Sequence, residues 1–312
     1  MNDLSAPLHR RALLILGSAV AASRAHAAPL RITLATATAG GGFPAYGAAF
    51  ERAISGAESG LVVTPVASGG SAENITLLSR GAVDLALVQG AYAYPALGRP
   101  DGLTILAPMY TTPGLFVTRA DSPLRTVADL RGQVVILGTH NSGLTVMGRA
   151  VLAASGLDPD RDVRPVWLDH AGDGPPMVLD RRAAALWGGG IGWPGFLAVA
   201  RDTGGGRFIA PSEEAIARLA GADPSLMKLT VPAQAFPGQN APITTVGSWS
   251  FVLARPGFDP DTAYRIVRVL VRAIADQRLD HPQASESDPR QLKGVVPKAW
   301  LNPGTAKFLD GA

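Results

Sequence analysis

Three times in its first half the chain runs from a short apolar, strand-like segment into a loop of Gly, Ser and Thr and on into a helix. Residues 31–36 lead into Ala37-Thr38-Ala39-Gly40-Gly41-Gly42-Phe43-Pro44 and a helical stretch over 45–54, with Pro44 suited to a first helical turn. Residues 61–67 lead into Ser68-Gly69-Gly70-Ser71-Ala72-Glu73-Asn74, where Ser71 is placed to cap a helix and Glu73 and Asn74 fall in its first turn, before a second strand over 84–89. Residues 133–137 lead into Gly138-Thr139-His140-Asn141-Ser142-Gly143-Leu144-Thr145 and a helix through Ala154. Small residues let backbone N–H groups approach a guest, and strand ends that open onto helix N-termini are where open α/β sheets bind ligands. The pattern demands an α/β fold and points to binding before catalysis.

The N-terminus reads as a targeting segment. His9-Arg10-Arg11 is positive, residues 12–22 are apolar but too few to span a bilayer, and Ala25-His26-Ala27 fits the small-x-small cleavage rule. Export with cleavage near Ala27 is expected, by the general or the twin-arginine route, the latter signalled by Arg10-Arg11. The chain has no cysteine, so neither a disulfide nor a lipid-anchored lipoprotein is expected. The leader carries three arginines and one aspartate, so its removal takes the net charge from +3 to +1. The remaining Lys and Arg are scattered, with no basic run interleaved with aromatics, which argues against a nucleic-acid partner.

Residues 103–107 and 114–118 read as two further strands that bracket Met109-Tyr110-Thr111-Thr112-Pro113. A fresh α/β series follows, with strands at 133–137, 163–168 and 183–187 and helices at 143–155 and about 177–182. Ser212-Glu213-Glu214 carries an N-cap and an acidic first turn. Residues 243–254 read as a long strand, and Asp259 opens a helix over 262–277 whose Ile266, Val267, Leu270 and Ile274 share a face. If the strands near 114–119 and 243–254 both run between lobes, the molecule is a clamshell: residues 28–119 with 244–312 form lobe 1, and 120–243 form lobe 2.

Several strings invite other chemistry. Gly190-Ile191-Gly192-Trp193-Pro194-Gly195 matches the dinucleotide pattern G-x-G-x-x-G, but Pro194 and its bulky neighbours depart from a pyrophosphate turn, and a loop entering a cleft explains it better. Ser225-Leu226-Met227-Lys228 has the S-x-x-K spacing of serine acyl transfer without its companion motifs. Asp169, His170 and Asp173 suggest a metal, yet no ligand cluster accompanies them, so no metal and no cofactor are expected. His140 reads as a hydrogen-bonded loop histidine ahead of a ligand contact, and Asp84 as an acid orienting the turn before its strand. Ser71 and Asn74 are either ligand contacts or capping groups. Tyr46, Tyr92 and Tyr110 either line the cleft or fill the core, and Trp187 and Trp193 are wall or core aromatics.

In their order and spacing, these segments resemble the TAXI-type solute receptors of TRAP transporters over nearly all of the mature chain. The likeness rests on residues 40–47, 68–74 and 84–89, on Val127-Ala-Asp-Leu-Arg-Gly132, on 141–145 leading to 152–157, and on the tail from Val296 to Ala306. It departs from the family at Phe43-Pro44-Ala45-Tyr46, at Gly90 and at Asn302-Pro303-Gly304-Thr305. The resemblance implies a type II periplasmic-binding-protein fold with a ligand cleft between two lobes and a periplasmic, monomeric receptor that catalyses nothing. It also implies a small anionic solute of the glutamate-like or dicarboxylate class and integral-membrane transporter subunits as partner; the alternatives are the receptor of an ABC importer or a periplasmic ligand-sensing module, ahead of an exported enzyme. The expected ligand-binding residues are Gly41, Gly42, Phe43, Tyr46, Ser68, Gly70, Ser71, Asn74, Gln89 and Tyr110 on one lobe. On the other they are Asn141, Ser142, Gly143, Thr145, Trp187 and Trp193.

Overall fold

The computed structural model describes residues 28–99 and 102–311; the expected leader and its cleavage site lie outside them. The first lobe opens with β1 (Leu30–Ala35), α1 (Gly42–Ala57), β2 (Leu61–Val66), α2 (Ser71–Ser79), β3 (Leu85–Gln89) and α3 (Gly90–Ala96). Strand β4 (Thr104–Arg119) then leaves for the second lobe. There follow β5 (Val134–Gly138), α4 (Gly143–Ala154), β6 (Arg164–Trp167), α5 (Gly174–Leu179), β7 (Ala185–Gly189), α6 (Pro194–Ala200), β8 (Gly206–Ile209), α7 (Glu213–Ala222) and β9 (Met227–Val231). Strand β10 (Ile243–Ala254) returns, and α8 (Pro260–Ala275) and α9 (Pro303–Asp310) complete the first lobe.

The two halves are built alike. In one, parallel strands lie in the order β2-β1-β3; in the other the order is β6-β5-β7, so each βαβαβ series places its second strand outside and its third inside. Between them β10 and β4 run antiparallel as neighbours. The first half of β10 pairs with β9 and its second half with β3, while the far end of β4 pairs with β7 and β8. Every residue of β3 and β7 is buried, as strands covered by helices on both faces require. Apolar clusters cover both faces in each half. One, for example, unites Leu34, Phe50 and Leu87 with Ile266 and Leu270 of α8, and another packs Met147 and Val151 of α4 against Val135 and Trp187. Helix α8 forms where Asp259 accepts the Thr262 N–H (2.8 Å) and Pro260 occupies the first turn. Ser212 caps α7 in the same way, accepting from the Ala215 N–H.

One expectation is corrected: residues 103–107 and 114–118 are not two strands but the ends of the single β4. Pro108 and Pro113 suggest a break, yet both are accommodated. Between Pro108, opposite Phe251, and Thr111, opposite Trp249, β4 carries one extra residue, a bulge. The Thr111 N–H that the bulge releases donates instead to Glu286 Oε2 (2.6 Å). Pro113 lies opposite Gly247 near where β4 changes partner, and its carbonyl accepts from Gly190 N–H (3.3 Å). Proline is tolerated in strands at such irregularities. Helix α3, unforeseen from sequence, starts because Gln89 Oε1 accepts from the Ala91 N–H (2.8 Å).

Candidate functional site

The loops of the first lobe are braced before any guest arrives. Asn74 Nδ2 donates to the carbonyls of Thr36 and Leu87 (2.7 Å each), tying the ends of β1 and β3 together, while its Oδ1 accepts from Ser68 Oγ (2.7 Å). Asn74 is fully buried with every polar arm engaged, and it does not line the cavity described below. Ser71 does not cap α2 as the sequence suggested: it is the first helical residue, behind Gly70, and its hydroxyl accepts the Gln89 backbone N–H (3.1 Å). Gly70, at φ +121°, takes a backbone conformation that only glycine adopts readily.

In the second lobe Thr145 Oγ1 donates to the carbonyls of Leu137 and Thr139 (2.9 and 2.8 Å), and Ser142 caps α4 by accepting from Leu144 N–H (3.2 Å). Trp187 Nε1 donates to Leu144 O (2.6 Å), and its ring packs on Phe116 at 4.7 Å. Glycines make room for both tryptophans. A β-carbon at Gly114 or Gly148 would fall 2.5 or 2.7 Å from Trp187, and one at Gly188 would fall 2.0 Å from Trp193.

The lobes meet around a cavity of about 70 Å³. Bonds between loops that cross from one to the other include Ala72 N–H to Asn141 O (3.1 Å), Gly172 N–H to Ala39 O (3.1 Å), Ala171 N–H to Thr38 Oγ1 (3.2 Å) and Ile191 N–H to Gln283 Oε1 (2.9 Å). Ten of the expected residues line the cavity: Gly41, Gly42, Phe43, Gly70, Ser71, Gln89, Ser142, Gly143, Trp187 and Trp193. Ala37, Thr38, Gly69, Leu137, Gly138, Thr139, Leu144, Ala171 and Gly188 complete the wall. Of these, Ala171 was missed, because 169–173 reads as a solvated loop; the small pair Ala171-Gly172 before Gly174 was the available signal.

The structure does not bring the other six expected residues to the cavity wall. Asn74 and Thr145 are spent on backbone carbonyls, and Ser68 serves Asn74. Asn141 contributes its carbonyl to the contact with α2. Tyr46 is wholly buried, its hydroxyl donating to Ser287 Oγ (3.0 Å), and burial pushes that hydroxyl's pKa well above its usual value. Tyr110 is buried behind Gly42 and stacks on His281 at 4.7 Å; burial, then the neighbouring Tyr46 and Glu286, raise its pKa too. Tyr92 packs against the core.

Among the described residues, no Asp, Glu, Lys, Arg or His lines the cavity. What faces it instead is the start of α1 at Gly42, of α2 at Ser71 and of α4 at Gly143. First-turn N–H groups have no partner within their own helix and carry the positive end of the helix dipole; of these, Ala72 N–H is taken by Asn141 O and Leu144 N–H by Ser142 Oγ. The other motifs settle into structural roles. His140 is exposed and stacks on Trp167 at 4.5 Å. Lys228 pairs with Glu213 (2.7 Å) at the surface, whereas Ser225 is buried. Asp84 acts over a longer range than its turn: it accepts from Thr33 N–H and Oγ1 (3.0 Å each) and pairs with Arg255 (3.0 Å). Among the described residues there is no cluster of three or more metal-ligating side chains, and no helix is long and apolar enough to cross a membrane.

The family model of the NMT1-like family matches residues 34–311. The chain belongs to the NMT1-like family. This NMT1-like chain is also similar to solved structures. One is a periplasmic transporter, 15% identical, with 90% of this chain and 95% of that one covered and a TM-score of 0.56. A histidine kinase sensor domain with similarity to periplasmic binding proteins is 15% identical over 81% of this chain and 93% of that one, TM-score 0.51. The protein Tv2483 bound to L-arginine is 12% identical over 82% and 88%, TM-score 0.50. At such identities the likeness is one of fold, and the fold is that of the type II periplasmic binding proteins.

Proposed function

We propose that this NMT1-like protein is an extracytoplasmic solute receptor that captures a small organic anion between its lobes and delivers it to integral-membrane transporter subunits, catalysing no reaction itself. The observation that carries this reading is the convergence of three helix N-termini, two from one lobe and one from the other, on a cavity whose described lining has no charged side chain. Such a wall binds an anion through backbone donors and contains no nucleophile with an adjacent base. In this reading residues 28–119 with 244–312 move as one lobe, residues 120–243 as the other, and β4 and β10 form the hinge. The receptor acts as a periplasmic monomer after cleavage near Ala27. The TAXI resemblance favours a TRAP-type partner; an ABC permease is the alternative, and reconstituted uptake that requires an ion gradient or ATP separates the two.

A thermal-shift screen of small acids tests the receptor reading. An acid at about 100 times its dissociation constant adds roughly 2.7 kcal/mol of stability. Stabilisation without consumption of the acid supports the proposal, whereas turnover, or no stabilisation by any acid, refutes it.

A further inference from the structure

Gln89, at the end of β3, is only 1% exposed. Its Oε1 accepts from the Ala91 N–H (2.8 Å), which fixes the orientation of the amide, and the other arm, Nε2, has no hydrogen-bond partner among the described residues. The side chain lines the cavity and lies against the start of α4, where a β-carbon on Gly143 would stand 2.4 Å from Oε1. A buried amide donor left unpaired is destabilising, and a bound acceptor removes that cost.

The wall around this donor has a one-sided chemistry. Helices α1, α2 and α4 turn their donor ends to the cavity, and no acidic side chain lines it. A single carboxylate is satisfied there. An ammonium is not: it would stand among positive helix ends with no carboxylate to neutralise it, and an unpaired buried charge is heavily penalised. A second carboxylate fares little better, because the remaining wall includes Phe43, Leu137, Leu144, Trp187 and Trp193. A volume of about 70 Å³ is several times the ~10–15 Å³ that a single water needs, room for a small acid.

Resting on the receptor reading above, we infer that the site takes a short-chain monocarboxylate bearing neither an ammonium nor a second anionic group, with Gln89 Nε2 donating to it. This is narrower than the glutamate-like or dicarboxylate class.

Titration calorimetry of the mature protein with propanoate, L-alanine and malonate tests the inference. L-Alanine adds an ammonium to propanoate, and malonate replaces its methyl by a second carboxylate. Propanoate is expected to bind at least about tenfold more tightly than either. Comparable binding of L-alanine or malonate overturns the inference and leaves the anion receptor standing, and so does failure of propanoate while other acids of the screen bind. If no acid binds, the receptor reading falls as well. Gln89→Glu gives a second readout: it retains an oxygen for the Ala91 N–H, so α3 keeps its cap, but replaces the donor by an anion. We expect the variant to melt cooperatively, at whatever temperature, with a loss of propanoate affinity of about tenfold or more; parent-like affinity overturns the role of Gln89.

Discussion

Gly40 meets Gly172 backbone to backbone across the cleft: a β-carbon on Gly40 would lie 2.4 Å from the Gly172 Cα and 2.5 Å from its nitrogen. Gly40 also has φ +77°, where a side chain costs about 1–2 kcal/mol. Gly40→Ala is therefore expected to hold the lobes apart while each keeps its fold, weakening ligand binding by about tenfold or more. Small-angle scattering checks this. The parent should compact when a binding acid is added, and the variant should retain the larger radius of gyration.

At the facing loop, Gly143→Val should also weaken binding, because its β-carbon meets Gln89 Oε1 at 2.4 Å and backbone at the start of α4 is screened from a guest. Ser142→Ala should cost much less, on the order of 1 kcal/mol, since it removes a hydroxyl and leaves the helix donors in place. Calorimetry on the two folded variants gives the order; the reverse order would move the site away from α4.

Asn74→Ala is expected to act on stability. It strands the carbonyls of Thr36 and Leu87 and the hydroxyl of Ser68, and a buried acceptor left unpaired costs about 1–3 kcal/mol. Thermal denaturation without added acid should show a clear drop in melting temperature. An unchanged melting temperature with lost affinity would instead make Asn74 a ligand contact.

His281 makes stability depend on pH. Burial, only partly opposed by Asp280, pulls its pKa down to about 4 in the fold, against about 6.5 in the unfolded chain. The unfolded state therefore binds the extra proton first, and stability falls as pH drops from about 6.5 towards 4. Because the ring keeps some contact with solvent, about 1 kcal/mol between pH 7 and pH 5 is expected. Urea denaturation at the two pH values measures it, and His281→Phe, which keeps the stacking on Tyr110, should reduce the difference.

The Asp84–Arg255 pair titrates lower. Burial pushes the Asp84 carboxyl up, but the hydrogen bonds from Thr33 and the Arg255 guanidinium outweigh it and hold the pKa below its usual value. Its contribution is present above the unfolded pKa of about 3.9 and lost as pH falls through the lower folded value. Asp84→Asn should cost about 1 kcal/mol at pH 7 and flatten the acid limb of the denaturation curve.

What the sequence discloses and what it hides divide along physical lines. Local signals were readable: Asp259 and Ser212 announce helices by chemistry confined to one turn, and β10 ends in the unbroken apolar stretch Phe251-Val252-Leu253-Ala254 after a segment rich in β-branched residues. The glycine-rich loops were readable as cavity wall for the same reason, since small residues before a helix have a local meaning. Non-local pairings were not. Nothing near Pro108 shows that a glutamate far along the chain, Glu286, accepts the N–H of Thr111 and lets one strand run through. Asn74 and Thr145 have the polarity of ligand contacts, and only the assembled fold shows that backbone carbonyls consume it. Tyr46 and Tyr110 went to the core because α8 and residues 281–287 close over them, a coverage that no periodicity encodes.

Strands β4 and β10 pass between the lobes side by side, hydrogen-bonded to each other across the middle of the molecule. Two separate tethers would leave each jaw free to tumble, but a paired ribbon resists shear in its own plane and yields mainly to twist. In the proposed closure the jaws would share one axis of rotation, and the disorder surrendered would be close to that of a single swinging coordinate. Little of the solute's grip would then be consumed in finding the shut geometry, so even a weakly held small acid would drive the motion.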